Sequence, residues 1–278
     1  MFKGRDLVIA TKHNKEKVIA PILKRELGVN CIVIPDLDTD ELGTFTGEVE
    51  RKEDPIATAR KKCLTAMKLA KCDMAVASEG SFGPHPSLFF VHADDEFLLF
   101  IDKKNKLEII VREISTQTNF NSSFITSKNE LAEFAKNVKF PSHGLIVRKT
   151  DTDFNEIEKG IKTWTKLSKV YTHFIKQNGS FYVETDMRAL HNPSRMKVIQ
   201  KATTKLASKI NSNCPGCNTP GFEITALKHG LPCLLCRLPT RSTLSQIYSC
   251  HKCSFSKEEH FPNNKNSEDP TFCDNCNP

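Results

Sequence analysis

Eight cysteines towards the C-terminal end of the sequence form four Cys-x-x-Cys pairs. The pairs are Cys214/Cys217, Cys233/Cys236, Cys250/Cys253 and Cys273/Cys276. Each pair can direct two thiolates at one metal ion, and two pairs complete a tetrahedral site. The spacing predicts two structural zinc sites, because four thiolates leave no position for water or substrate. The gaps 218–232 and 254–272 favour sequential pairing, first with second and third with fourth, and leave a cross-braced pairing open.

The cysteine usage favours metal over disulfides. Three of the 11 cysteines, Cys31, Cys63 and Cys72, lie outside the pairs and are expected to be core residues. A secreted disulfide framework is usually shorter and seldom repeats Cys-x-x-Cys. No apolar run reaches the roughly 20 residues of a membrane span, and the start of the sequence lacks a signal-peptide pattern. We therefore expect a cytoplasmic protein without membrane contact.

The net charge of +7 is distributed unevenly. From Cys214 onward the basic and acidic residues are equal in number, so the surplus belongs to residues 1–213. Each four-thiolate zinc centre adds a formal charge of about −2. Zinc modules that bind nucleic acid usually present a basic face. The tail is therefore expected to bind a protein partner rather than nucleic acid, and the oligomeric state is left open.

A lysine-rich loop follows the first predicted strand, a position where α/β sheets often bind ligands. It contains Thr11, Lys12, Asn14, Lys15 and Lys17 just ahead of a predicted helix. Helix N-termini attract anions, and the lysines add positive charge. The loop suits the phosphate chain of a nucleotide, and a solvated lysine-rich turn is the alternative.

Two further loops carry candidate binding residues. Glu79 and Ser81 follow a predicted strand, and Glu79 offers a carboxylate to a hard cation. Asp186, Arg188 and Arg195 lie near a predicted helix start, where arginines fit phosphate or base recognition. A structural Asp–Arg pair is the alternative for this third loop.

Strands and helices alternate over the first three-quarters of the sequence. The pattern predicts an α/β domain with a mixed sheet and flanking helices over residues 1–210, followed by a small zinc-ribbon-like module over residues 211–278. Strands are predicted at 6–11, 31–34, 74–77, 88–92, 96–102, 107–114, 145–147 and 181–183. Helices are predicted at 15–27, 56–69, 127–138, 154–176 and 196–210.

Three short motifs over roughly residues 6–115 resemble the inosine/xanthosine triphosphatase superfamily. Thr11-x-x-Asn14-x-x-Lys17 is similar to its phosphate-binding start. The basic helix that begins at Asp54 resembles its next segment, and the stretch 73–80 resembles its strand followed by an acidic loop. The resemblance implies that Asn14 and Lys17 hold a triphosphate.

The same resemblance implies a magnesium site at Glu79. A second carboxylate would come from Glu48, Glu50 or Asp54, of which we assign Glu50. Lys61 or Lys62 would neutralise phosphate charge, and we place Lys61 with Glu79, Lys17 and Asn14 in the catalytic set. Magnesium held there would polarise the phosphate and activate water.

Over its whole length the sequence resembles an uncharacterised bacterial family known only as a domain of unknown function. The resemblance lies in the stretches 77–86 and 184–189 and in the four cysteine pairs, and it implies an architecture without an activity. We expect a magnesium-dependent enzyme that cleaves nucleotide phosphates. The alternatives are a non-catalytic protein that binds nucleotides or nucleic acid, and a zinc-stabilised protein-interaction module.

Overall fold

A computed structural model describes residues 1–35 and 54–278. The chain divides into two units, Met1–Ala207 and Ser208–Pro278. The predicted α/β class with a mixed sheet and flanking helices is confirmed in the first unit. Within the described residues, no helix has the length and apolar character that a membrane crossing needs.

A five-stranded mixed sheet begins the first unit, with strand order β2-β1-β3-β4-β5. Strand β1 is parallel to β2 and β3, whereas β3, β4 and β5 are antiparallel. The strands are β1 (Asp6–Ala10), β2 (Asn30–Val33), β3 (Met74–Pro84), β4 (His92–Asp102) and β5 (Leu107–Ser115). The predicted strand at 88–92 is wrong: β3 extends to Pro84 and β4 starts only at His92.

Two helices accompany this sheet, α1 (Glu16–Leu27) and α2 (Pro55–Ala70). Helix α2 begins where the sequence predicts, because the Asp54 carboxylate accepts hydrogen bonds from two backbone N–H groups of the first turn. Its apolar side packs on β1, β3 and β4. Cys63 is fully buried there as a core residue, and burial raises the pKa of its thiol.

A second, antiparallel sheet completes the first unit, with strand order β6-β9-β7-β8. Its strands are β6 (Ser122–Ile125), β7 (Leu145–Arg148), β8 (Ile157–Ile161) and β9 (Phe181–Thr185). The helices are α3 (Lys128–Asn137), α4 (Trp164–Asn178) and α5 (Pro193–Asn211), the last running into the second unit. The helix predicted over 154–176 is wrong for residues 154–163, because that stretch contains β8 and the Thr163 cap of α4.

The second unit is a three-stranded antiparallel sheet, β10 (Glu223–His229), β11 (Thr243–Ser249) and β12 (Ser256–His260), in that order. All residues of β10 and β12 are solvent-exposed. Its buried apolar cluster consists of Cys214, Phe222 and Cys250, with Cys217 and Tyr248 packed against them. A unit with so little apolar burial depends on other interactions for stability.

Candidate functional site

The four cysteine pairs adopt the same local turn. In each pair, the backbone N–H of the residue after the second cysteine donates to the carbonyl of the first. The N···O distances are 2.8 Å (Asn218 to Cys214), 3.1 Å (Arg237 to Cys233), 3.1 Å (Ser254 to Cys250) and 2.9 Å (Asn277 to Cys273). The turn fixes both thiols of a pair near one point, so each pair can act as one half of a metal site.

The eight thiols form two groups of four, each positioned to hold a metal ion such as zinc. The first group is Cys214, Cys217, Cys250 and Cys253, and the second is Cys233, Cys236, Cys273 and Cys276. Sγ–Sγ distances of 3.7 and 3.6 Å in the first group and 3.9 and 3.6 Å in the second lie close to one value. A tetrahedron with Zn–S bonds of about 2.3 Å has edges of roughly 3.8 Å, so the thiols fit zinc.

The prediction of sequential pairing is wrong, because the pairs alternate: first with third and second with fourth. Seven-residue strand β10 separates the first pair from the second and spans about 23 Å. Antiparallel pairing sets Glu223, after the first pair, opposite Ser249, before the third. At the other end of the sheet Ser245 pairs with His260, so the chain after β12 returns beside the second pair. Each group of four cysteines therefore lies at one end of the sheet.

A second concentration of chemistry lies in the first unit, beyond the end of β1 and along β3 and β4. Six ionisable side chains there are buried, and we call them the buried charge cluster: Lys15, Lys62, Glu79, Asp94, Glu96 and Arg195. Three are cationic and three anionic residue types. Burying charges costs free energy unless they are paired, so such a cluster suggests function rather than stability.

Lys15 links the loop after β1 to strand β3. Because Ala10 at the end of β1 pairs with Ala77, the loop begins beside Ser78. The Lys15 Nζ donates to the Ser78 carbonyl at 3.1 Å and contacts its Oγ at 2.9 Å. Burial, followed by the positive charge of Arg195, lowers the pKa of Lys15 to about 8, although Glu96 and Glu79 oppose the shift. A lysine so placed can lose its proton near neutral pH.

Lys62 on α2 and Glu79 on β3 form a buried ion pair between Nζ and Oε1. Lys61, which we predicted for the catalytic set, is exposed. The helical period explains this exposure: residues 62, 63, 66 and 67 face the sheet, and residue 61 lies outside this stripe. The buried cation supplied by α2 is therefore Lys62.

Arg195 joins helix α5 to β3 and β4. It lies at Gly80, on the face opposite the Lys62–Glu79 pair. Its Nε donates to Glu96 Oε1, and its Nη1 donates to the Met187 carbonyl at 2.7 Å. The guanidinium lies 5.2 Å from the centroid of the Phe82 ring. Gly80 pairs with Glu96 across the strands, and a Cβ there would collide with the Glu96 carboxylate. Glycine at position 80 thus makes room for a fully buried ion pair.

Asp94 and Glu96 share one face of β4, since they are two residues apart. Asp94 Oδ1 and Glu96 Oε2 are buried and have no hydrogen-bond partner among residues 1–35 and 54–278. Burial, and then the charge of Glu96, raise the pKa of the Asp94 carboxyl above its ordinary range. Both residues went unpredicted, although the acidic run Asp94-Asp95-Glu96 directly before the apolar stretch 97–101 was visible.

The remaining predicted residues of the first loop separate by exposure. Thr11 is buried at the end of β1, and its Oγ1 accepts from the His13 backbone N–H at 3.3 Å. Lys12, Asn14 and Lys17 are exposed. The structure thus brings Lys15, rather than Asn14 or Lys17, to the buried charge cluster.

The other predicted residues, apart from Glu50, belong to the second and third loops. Ser81 is half-buried and follows Gly80 on β3, whereas Glu50 lies outside the described residues. Asp186 is fully buried and pairs with Arg188 through Nε at 2.9 Å and Nη2 at 2.6 Å. It also accepts from the Gly160 backbone N–H at 3.2 Å, so these contacts favour the structural alternative for this pair.

Comparison with known proteins gives one family match. A family described as Domain of unknown function (DUF6671) matches residues 62–278, more than three-quarters of the chain. The chain belongs to this family. The match to DUF6671 includes both cysteine groups and five of the six residues of the buried charge cluster. Its description names no activity, and no curated protein matches the chain.

Proposed function

We propose that the buried charge cluster is the active site of an enzyme that cleaves the phosphate chain of a nucleotide. The observation that carries the proposal is that the three predicted loops each bring a charged residue to one stretch of β3: Lys15 at Ser78, Glu79 with Lys62 of α2, and Arg195 beside Gly80 and Phe82 on the opposite face. Lys62 adds a third cation. The resemblance to the inosine/xanthosine triphosphatase superfamily supports the same chemistry.

The roles follow from charge and position. Lys15 and Lys62 are candidates to hold phosphate oxygens, because they lie at the end of a parallel strand, where α/β sheets often bind ligands. Glu79 is the candidate to orient the attacking water and accept its proton once a phosphate takes over its partner Lys62. Arg195 is fixed by Glu96 and by the Met187 carbonyl, and is a candidate to position the substrate.

Magnesium remains part of the proposal through the resemblance. When bound, it would supply charge neutralisation to the phosphates. Among the described residues, however, Glu79 is the one carboxylate assigned to it, and its partner is Lys62. The groups of three or more candidate metal ligands in this part of the chain are the two cysteine groups. The roles of Lys15, Lys62, Glu79 and Arg195 therefore do not depend on magnesium.

The test incubates the purified full chain with a panel of nucleoside triphosphates and Mg²⁺ or Mn²⁺. Turnover is measured as the release of pyrophosphate or phosphate. We expect turnover by the wild type and a loss of at least about 100-fold in Glu79→Gln, the order expected for a proton acceptor. Glu133→Gln, which changes an exposed glutamate on α3, is the matched control and should retain activity. Nucleotide binding without turnover would favour the non-catalytic alternative. If the chain neither binds nor cleaves any nucleotide, the enzyme and the nucleotide-binding alternative are both refuted.

A second candidate function concerns the zinc unit. Around the second cysteine group, four apolar side chains are 48–72% exposed: Leu234, Leu235, Leu238 and Phe272. Contiguous exposed apolar surface commonly marks protein interaction sites. We propose that both cysteine groups hold zinc and that this surface binds a partner protein through apolar contacts, in agreement with a tail whose basic residues do not outnumber its acidic ones.

Leu234→Glu/Leu235→Glu is expected to abolish partner binding, because two charges would have to be buried in the interface. Ile224→Glu/Leu227→Glu, which alters two exposed apolar residues of β10, is the matched control. The measurement compares proteins retained by wild type and both variants, each carrying the same zinc content. A partner held by wild type and control but lost from Leu234→Glu/Leu235→Glu supports the proposal. Equal retention by all three contradicts it.

A further inference from the structure

A small basic cavity lies on the first unit at a face of α5 that does not include Arg195. Its volume is about 140 Å³. Apart from Val198, its lining is polar: Lys139, Lys197, Lys201, Ser115, Ser194 and Gln117. Positions 194, 197, 198 and 201 follow the spacing of one helix face. Three lysines therefore surround the cavity, and within residues 1–35 and 54–278 no carboxylate lines it.

These lysines have no acidic partner among the residues that the structure describes. Elsewhere on α5, Lys205 lies 3.8 Å from Glu113 and Lys209 lies 2.6 Å from Glu223. Lys139, Lys197 and Lys201 form no such ion pair within the described ranges. Three positive charges around one concavity repel each other, and a multivalent anion would convert this repulsion into attraction.

Buried His143 contacts Ser194, one of the two serines that line the cavity. Ser142 Oγ donates to the Lys139 carbonyl at 2.6 Å, so at its 2.9 Å contact with His143 it accepts from Nδ1–H. His143 Nε2 is then an acceptor, and Ser194 reaches it with both its Oγ (2.9 Å) and its backbone N–H (3.3 Å). The Ser194 hydroxyl can therefore turn its proton to an anion without leaving the histidine unpartnered.

His143 also experiences the positive field of the cavity. Burial, followed by the charges of Lys139, Lys162 and Lys197, lowers the pKa of His143 below its ordinary value. An anion that binds between the lysines would offset this field and raise that pKa. The histidine is thus a natural probe of occupancy that does not itself line the cavity.

We propose that this cavity binds a small phosphate-containing anion, at a site separate from the buried charge cluster. The three lysines provide charged hydrogen-bond donors, and the Ser194 hydroxyl provides a neutral one. Both kinds match the acceptor oxygens of phosphate groups. A cavity of about 140 Å³ accommodates one or two linked phosphate groups rather than a polymer. The proposal does not depend on the activity proposed for the buried charge cluster.

The test is calorimetric titration of the full chain with inorganic pyrophosphate and with inorganic phosphate at constant ionic strength. Lys197→Gln/Lys201→Gln should weaken binding at least about tenfold, since two charge-assisted contacts are lost. Lys103→Gln/Lys104→Gln removes the same charge from the exposed turn after β4 and should stay within about twofold of wild type. Ser194→Ala is a second lining variant and should weaken binding by a smaller factor.

Titration of His143 by NMR locates the binding. Saturating pyrophosphate or phosphate should raise the pKa of His143 in the wild type and in the Lys103→Gln/Lys104→Gln control. In Lys197→Gln/Lys201→Gln the same concentrations should raise the pKa of His143 less than in the wild type. Equal affinity in wild type and the lining variant, or an unmoved His143 titration at saturation, would place the anion elsewhere and overturn the proposal. The absence of any binding by either probe would overturn it as well.

Discussion

Removal of metal is expected to unfold residues 208–278 and to leave the first unit folded. The strands β10 and β12 are wholly exposed, and the apolar cluster of the unit contains two of the cysteines themselves. Structural zinc contributes about 10–16 kcal/mol of apparent binding free energy to small zinc domains, which exceeds the stability that so small a core provides.

The measurement is hydrogen exchange of the full chain before and after a strong chelator. Amides of β10, β11 and β12 should lose protection, whereas amides of β1, β3 and β4 should keep it. The fluorescence of Trp164, the single tryptophan of the chain, should not change. The Trp164 ring packs on Phe140 in the first unit, with 4.8 Å between the ring centroids. Retained protection in β11 without metal would contradict the prediction.

Serine substitutions also test the alternating pairing. Cys217→Ser/Cys250→Ser alters one group and should leave about one zinc per chain, whereas Cys217→Ser/Cys236→Ser alters both groups and should leave almost none. Sequential pairing requires the reverse result. Metal counted by atomic emission on the two double variants, with wild type as reference, therefore decides between the two arrangements.

The pairing is the part of the second unit that the sequence could not provide. Cys-x-x-Cys spacing is local and identifies the ligands, because each turn closes within five residues. Which pairs meet depends on the antiparallel register of β10 and β11, a long-range property. A strand between the first and second pairs is what excludes sequential pairing, since a strand of seven residues cannot bring both of its ends to one ion.

The buried charge cluster was predictable in the same partial way. Residues at strand and helix ends were identified, and the charges of Glu79 and Arg195 both act on Lys15. Asp94 and Glu96 were missed, because acids within a strand are usually solvent-facing and their burial depends on α5 packing across the sheet. Lys61 was chosen over Lys62 because the helix was predicted without a fixed phase relative to the sheet.

Arg195→Met is expected to destabilise the first unit by about 3–5 kcal/mol. The substitution keeps much of the apolar volume but leaves the Glu96 carboxylate buried without its cationic partner, and breaking a buried pair in this way typically costs that amount. Arg60→Met is the matched control. Arg60 Nε donates to Glu108 Oε2 at 3.0 Å, and both side chains are 38–40% exposed. Loss of this pair should lower the free energy of unfolding by less than about 1 kcal/mol.

Urea unfolding followed by Trp164 fluorescence measures these differences, because the single tryptophan reports on the first unit. A second substitution separates loss of the ion pair from loss of packing. Arg195→Met/Glu96→Leu removes both charges, and should recover at least about half of the stability lost in Arg195→Met, since replacing a whole buried pair by apolar groups is often neutral. If Arg195→Met and Arg60→Met cost the same, the Arg195–Glu96 pair is not buried as the structure has it. If the double variant recovers nothing, the loss comes from packing around Phe82 and Gly80 rather than from an uncompensated charge.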